Sequence, residues 1–518
     1  PNPKPQTPNP KPQTPERVVL LLVSLLSSCH HLLGEYLKII IMLVKATHIR
    51  PPKGFFKANR LRLVDYLKTK LGGVPESCIL LKGAEEEYIY DDDQTYAFSQ
   101  DNHFFWATGV DQPGAYSLIN LSSGDCTIYT PKVEEIRKYW ERIMEIEEYT
   151  QNFEIEGARF LEDLEADLKT KNPPVIYILG GINKYSGRGP LVPNFPWLSQ
   201  FKVDSSVLYP SLNEVKLIKS EDEIALLKEA ARIGSEAHVY TMQNVRPGIN
   251  ETHIQTMHRF YCGMHGPTVQ VPYEEICASG KNAAILHYQV NADRIPDGKM
   301  VLMDAGAKVN GYNSDITVTY PINGRFTEKQ KAIYNICLQA HNEVKNFAKA
   351  GVNWQDVHEL AEKTIVKGLL ELGLIKGGSA EELWQKRISY YFFPHGVGHF
   401  IGTYVHDLLG DPAKDNKREV PHQNIRFHRK LEAGNVVTNE PGVYLIDRLI
   451  AKAKKTPEVA EYFNFDLIEQ YEKEISGVRI EDMLVIRADK AEGLTNVPRT
   501  VEEIEKCMAK QAWKTASA

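Results

Sequence analysis

Between residues 59 and 71, apolar side chains fall at 61, 63, 66, 67 and 71. This is the period of an amphipathic helix, and Gly72-Gly73 supplies its stop. Short apolar runs at 78–81, 116–121, 127–129 and 175–179 have the length and composition of strands. Strands separated by helical stretches predict a sheet covered on both faces. A sharper start signal lies at Ser220-x-x-Glu223, a capping box after which Ile224, Leu227, Ala230 and Ala231 keep helical spacing. That helix is expected to end by Arg246, before Pro247-Gly248, with a second beginning near Asn250. Thr327-x-x-Gln330 caps a third helix, and a fourth starts near Asn353. Between the second and third, LMDAGAKVNGYNSDITVTYP reads as two β-runs around a Gly-Tyr-Asn turn. The second half of the chain therefore runs helix, helix, hairpin, helix, helix, then strands.

The N-terminal end follows another pattern. Residues 1–14 are two copies of PNPKPQT, whose alternating prolines favour an extended form without a packed core. Apolar runs at 18–29 and 39–44 follow, separated by His30, His31, Glu35 and Lys38. A bilayer span needs about 20 predominantly apolar residues, so no stable membrane insertion is expected. Residues 1–45 are read as a dispensable extension, with a targeting or membrane-associating segment as the alternative.

A chain of 518 residues exceeds one ordinary core and implies two domains. The boundary falls near residues 211–220, ahead of the Ser220 helix. A net charge of -6 with no basic block gives no footing for nucleic acid. The seven cysteines include no Cys-x-x-Cys pair. Their scatter and odd number imply reduced thiols and a cytoplasmic setting. The acidic runs 85–87 and 91–93 lack the glycine spacing of a calcium loop and read as solvated surface. The glycine-rich loop 180–190 lacks phosphate-binding spacing.

Candidate chemistry concentrates in Pro394-His395-Gly396-Val397-Gly398-His399 and, beyond it, His406. Gly-Val-Gly between two imidazoles argues against a helix and for a loop that aims them into a pocket. Asp304, Asp315, Glu440 and Glu481 each sit in a short β-like apolar run. Carboxylates are costly to bury unless paired or bound to metal. One imidazole, His399, with four carboxylates suits hard or borderline divalent ions better than a thiolate zinc site.

MDAG…SDIT, PHGVGH, TNEPG and VRIED, in this order, closely resemble the five ligand segments of the pita-bread metallopeptidases. The fit is best to the prolidase (Xaa-Pro dipeptidase) group and runs from about Ala46 to Cys507. The resemblance implies an α/β fold: a creatinase-like mixed α/β domain over residues 46–210, then a pita-bread catalytic domain over 211–507 and a tail over 508–518. It also implies two divalent ions, Mn(II) first with Co(II) or Fe(II) as alternatives. Asp304 would chelate one ion, Asp315 and Glu481 bridge both, and His399 and Glu440 complete the second. The expected reaction is hydrolysis of Xaa-Pro dipeptides by hydroxide shared between the ions, with Glu440 as general base and then acid. His395 and His406 would stabilise the tetrahedral intermediate. His287, His406 and Arg426 would receive the proline carboxylate, Arg479 orient carboxylates, and Tyr273 line the site. The group is homodimeric, and a tryptophan of its N-terminal domain walls the partner's pocket; Trp106 in HFFWATGV is matched to it. Aminopeptidase P, which acts on longer peptides, shares fold and ligands. The 41-residue spacings His399–Glu440 and Glu440–Glu481 leave room for the insertions typical of the dipeptidase. A pita-bread binding protein without catalysis would be expected to have lost a ligand, and methionine aminopeptidase has no comparable N-terminal domain.

Overall fold

The computed structural model describes residues 49–73, 76–182, 187–268, 270–407 and 425–510. The expected N-terminal extension, part of the 180–190 loop and most of the C-terminal tail lie outside them. The described residues from 49 onward belong to one compact unit.

Helix α1 (Phe55–Leu71) starts four residues before the apolar period suggested and stops where Gly72 turns left-handed. It lies beside a six-stranded sheet built from β1 (Cys78–Lys82), β2 (Tyr116–Asn120), β3 (Cys126–Thr130), β4 (Gly157–Phe160), β5 (Ile176–Tyr177) and β6 (Val203–Asp204). The order is β4-β3-β2-β1-β5-β6. β1 is antiparallel to β2 and parallel to β5. Separate apolar clusters cover its two faces: Leu63, Leu67, Ile79, Phe104 and Trp106 on one, Leu80, Leu118, Leu164 and Ile176 on the other.

The second half opens with helix α2 (Glu221–Asn244), whose Ser220 and Glu223 close the expected capping box. Helix α3 (Glu251–His265) packs against it. Strands β7 (Ile276–Ser279), β8 (Met300–Asp304) and β11 (Thr317–Pro321) form an antiparallel sheet ordered β11-β8-β7. Within the β8–β11 connection, β9 (Lys308–Val309) pairs with β10 (Tyr312–Asn313). The turn is therefore Asn310-Gly311, both at positive φ, and not Gly-Tyr-Asn. Asn-Gly tolerates that backbone at both positions, which returns Tyr312 and Asn313 to the ladder.

Helices α4 (Glu328–Phe347) and α5 (Trp354–Glu371) pack on each other in the same way. They precede β12 (Val436–Asn439), β13 (Gly442–Tyr444), β14 (Gly477–Arg479), β15 (Asp482–Ile486) and β16 (Ala491–Gly493). β12-β15-β16 forms one sheet and β13-β14 a ribbon. A bridge from Thr317 to Glu481 stitches the two helix-backed halves together.

One buried carboxylate joins the N-terminal sheet region to this second half. Glu223 is 1% exposed and accepts from Arg62 Nη1 at 2.5 Å, Trp106 Nε1 at 2.9 Å and Tyr312 Oη at 2.8 Å. A buried carboxylate is tolerated when its lone pairs are this fully used. Here Arg62 holds it below the ordinary carboxylate range against the opposing effect of burial.

Candidate metal centre

Sheet register brings the acids together. Asp304 lies opposite Ile276 on one side and Thr317 on the other, and Thr317 in turn bridges Glu481. Asp315, two residues before Thr317, projects to the same side as that residue by the two-residue period of extended chain. His399 enters from the opposite half: Phe400 bridges Val437 in β12, and His399 N donates to Thr438 Oγ1 at 3.0 Å. Gly398 permits this approach, because a Cβ there would collide with the Thr438 carbonyl.

The resulting cluster is tight. Ligand atoms of Asp315, His399 and Glu481 all lie within 4.8 Å of one another. His399 Nε2 stands 3.4 Å from Asp315 Oδ2 and 3.5 Å from Glu440 Oε1. His399 Nδ1–H donates to the Phe400 carbonyl at 2.9 Å, which leaves the Nε2 lone pair facing the acids. Tyr273 Oη reaches Asp304 Oδ1 at 2.8 Å and Asp315 Oδ1 at 2.5 Å, and its single proton serves one of them at a time. Arg479 donates to Asp304 Oδ2 at 2.5 Å and to Thr317 Oγ1 at 3.1 Å, while Thr317 Oγ1–H donates to Glu481 Oε2 at 2.7 Å.

The electrostatics show what the arrangement lacks. Burial, then mutual repulsion, raises Asp304 and Glu481 above the ordinary carboxylate range, and burial raises Asp315. Glu440 is pushed up to about 8, first by desolvation. Burial also holds His399 down at about 4. Four carboxylates face the Arg479 guanidinium, with that of Arg426 further out, and a neutral imidazole, so ionisation of all four calls for added positive charge. Divalent ions would supply it, and oxygen donors plus one imidazole fit such ions.

The other expected residues surround this cluster. His395 Nδ1 is 3.9 Å from Glu440 Oε2, but Nδ1 also contacts the Gly396 carbonyl at 2.9 Å and Nε2 contacts Tyr444 Oη at 2.9 Å. Both nitrogens are engaged, so contact with a substrate oxygen requires exchanging one bond. His406 stacks edge-on to His399, centroids 4.5 Å apart, and its Nε2 lies 3.1 Å from Arg426 Nη2. His287 is exposed at the rim, where partial desolvation, Arg479 and then Arg426 disfavour its charged form.

Trp106 does not stand where the sequence comparison put it. It is 1% exposed, in the apolar core beside the N-terminal sheet, with its indole N–H committed to Glu223. A side chain enclosed on every side cannot wall a neighbour's pocket. Trp140 is 83% exposed, beside Tyr139 at 80%. Two further contributors escaped the sequence reading. Tyr444, in the run after Glu440, accepts from Arg479 Nη1 at 3.0 Å and partners His395. Thr438 Oγ1 links His399 to Glu440 Oε1, the latter at 3.3 Å. Only pairing across strands reveals either.

The two helix-backed halves meeting at one acid-and-imidazole cluster define a pita-bread metallopeptidase. The chain belongs to metallopeptidase family M24, whose pattern matches residues 225–488, and the aminopeptidase P N-terminal domain matches residues 56–177. It is 35% identical to the Xaa-Pro dipeptidase of Mus musculus over 467 residues, 89% of this chain and 94% of that protein. It is 32% identical to the probable Xaa-Pro aminopeptidase of Sordaria macrospora over 460 residues, 88% of this chain and 96% of that protein. The solved aminopeptidase PepP of Pseudomonas aeruginosa superposes with a TM-score of 0.71 at 28% identity, covering 89% of this chain and 99% of that one. Aminopeptidase P of E. coli with the inhibitor Pro-Leu gives 0.71 at 27% identity over the same shares.

Proposed function

We propose that the protein is a Xaa-Pro dipeptidase that uses two divalent ions, Mn(II) first and Co(II) or Fe(II) as alternatives. Asp304, Asp315, His399, Glu440 and Glu481 would hold the ions. When bound, the ions supply Lewis acidity and lower the pKa of water toward neutrality. The chain's own residues supply the rest. Glu440 is the group to move a proton from water to the prolyl nitrogen, which has no N–H of its own. Thr438 Oγ1 lies 3.3 Å from one Glu440 oxygen, and His395 flanks the other. Tyr273 and Arg479 keep Asp304 and Asp315 oriented.

The observation that carries the dipeptide reading is the basic side of the pocket. Arg426 contacts His406, and its charge acts on His287, His399, Asp315 and Glu440 together. Through His406, whose ring packs against His399, its guanidinium borders the candidate ligand cluster, and we place there the carboxylate one residue beyond the scissile bond. A planar fork suits that carboxylate. Aminopeptidase P is the second reading, favoured by the solved structures of that name. The test is Arg426→Ala, assayed on Gly-Pro, Gly-Pro amide and Gly-Pro-Gly after metal removal and Mn(II) or Co(II) add-back. A charge-assisted contact contributes about 1.5–3 kcal/mol, so kcat/KM on Gly-Pro should fall about tenfold or more, with little change on the amide. Equal loss on all three, or wild-type turnover of the tripeptide as fast as Gly-Pro, would transfer the assignment to aminopeptidase P.

We also propose a homodimer in which Trp140, not Trp106, reaches the neighbouring pocket. Its exposure beside Ile136 and Tyr139 supports this. A cytoplasmic setting is proposed on the thiols: the six described cysteines are all buried and unpaired. No helix among the described residues is long and apolar enough to cross a membrane.

A further inference from the structure

His406 sits on the short loop Gly402-Thr403-Tyr404-Val405-His406-Asp407, and the next residue is the anomaly. Asp407 is 4% exposed although His406 is exposed. Its Oδ2 accepts from Lys219 Nζ at 2.7 Å, with the two side chains 1% and 2% exposed. Lys219 lies just before the Ser220 cap of α2, 188 residues away in sequence, and its N–H is bound to the Gly434 carbonyl. The loop is fastened at other points too. Asp407 N donates to the Phe400 carbonyl at 2.8 Å, and Asn313 Nδ2 donates to the Gly402 and Thr403 carbonyls at 3.2 and 2.9 Å. Lys216 Nζ lies 5.1 Å over the Tyr404 ring. A Cβ at Gly402 would come within 2.5 Å of Asp407 Oδ2 and 3.0 Å of Lys219 Cε, so glycine leaves room for the pair.

A fully buried ion pair is a poor source of stability, because desolvation offsets the Coulomb gain. Its best-attested use is to fix one geometry among several. We propose that Lys219–Asp407 is a positioning pair that sets the His406 imidazole against Arg426 and so determines recognition of the substrate carboxylate. Lys219 bonds Asp407 and the Gly434 carbonyl, and it acts on His406 through the backbone at 406–407. This rests on the proposed dipeptide reading and on His406 sharing the carboxylate with Arg426, as the resemblance implies.

The experiment compares Lys219→Met, Gly402→Ala, His406→Ala and the double variant Lys219→Met/His406→Ala in the Mn(II)-loaded full chain. Each is assayed on Gly-Pro and on Gly-Pro amide, with metal content and melting temperature measured alongside. Misplacing an orienting group by about an ångström costs up to a hundredfold, so KM for Gly-Pro should rise about tenfold in Lys219→Met. The expected metal content and KM for the amide stay near wild type. Gly402→Ala, which crowds the pair without removing a charge, should shift the same ratio if Lys219→Met does not fold. In the His406→Ala background, Lys219→Met should add nothing, because both changes remove one function. Equal losses on acid and amide, or additive effects in the double variant, would overturn the positioning role. If His406→Ala leaves the acid-to-amide ratio unchanged, the carboxylate role of His406 falls first and the pair's role falls with it.

Discussion

Removing the metal should make stability fall with rising pH, in a window the structure defines. With no cation between the carboxylates, burial pushes Glu440 up to about 8, from an ordinary value of 4.5. The folded metal-free chain therefore keeps a proton that the unfolded chain releases on passing 4.5. Stability declines from there until the folded group also ionises near 8, after which the full cost is present. At about 1.4 kcal/mol per pKa unit, that cost is on the order of 3–5 kcal/mol, shared among carboxylates that titrate together. Below neutrality the buried histidines act in the opposite direction. Their depressed values, about 3 for His395 and about 4 for His399, remove stability as pH falls below 6.5. The clean comparison thus lies between about pH 7 and 8.5, where His395 and His399 are neutral in both states, while His258, raised to about 9 beside Cys262 and Glu275, adds a decline common to both forms. Over that range the metal-free protein should lose about 1 kcal/mol that the Mn(II)-loaded protein keeps. Buried thiols add a decline common to both forms, so the quantity to follow is the difference in melting temperature between EDTA-treated and Mn(II)-loaded protein. That gap should widen from pH 7 to 8.5. A constant or narrowing gap would show that the acids are not the group neutralised by the metal.

Asp315→Asn and Glu481→Gln should each abolish turnover and lower bound metal, measured by elemental analysis; two ions with near-normal activity in either would remove it from the ligand set. Trp140→Ala should raise KM for bulky Xaa-Pro substrates while melting like wild type. Trp106→Ala should instead lower the melting temperature by removing a large core side chain and leaving Glu223 one donor short, at roughly 3–5 kcal/mol. A monodisperse, fully active monomer by light scattering would end the shared-pocket idea.

The candidate acids and histidines were visible in the residues themselves, and their order was read through the resemblance to the pita-bread metallopeptidases. Acids embedded in apolar runs are costly to bury unless paired or bound to metal, so four of them with a glycine-spaced histidine pair point to a metal site once they are taken together. Capping boxes at Ser220 and Thr327 were equally local, because a cap is satisfied within four residues. What required tertiary structure was every relation across strands or between distant segments. Nothing near Thr317 announces that it lies between Asp304 and Glu481, since register is set by pairing partners far away in sequence. Trp106 and Trp140 are indistinguishable by composition, and only burial shows that one is core and the other surface. Lys219 and Asp407 read as ordinary charged residues until folding encloses both, because the cost of an unpaired buried charge becomes visible only when the partner's position is known.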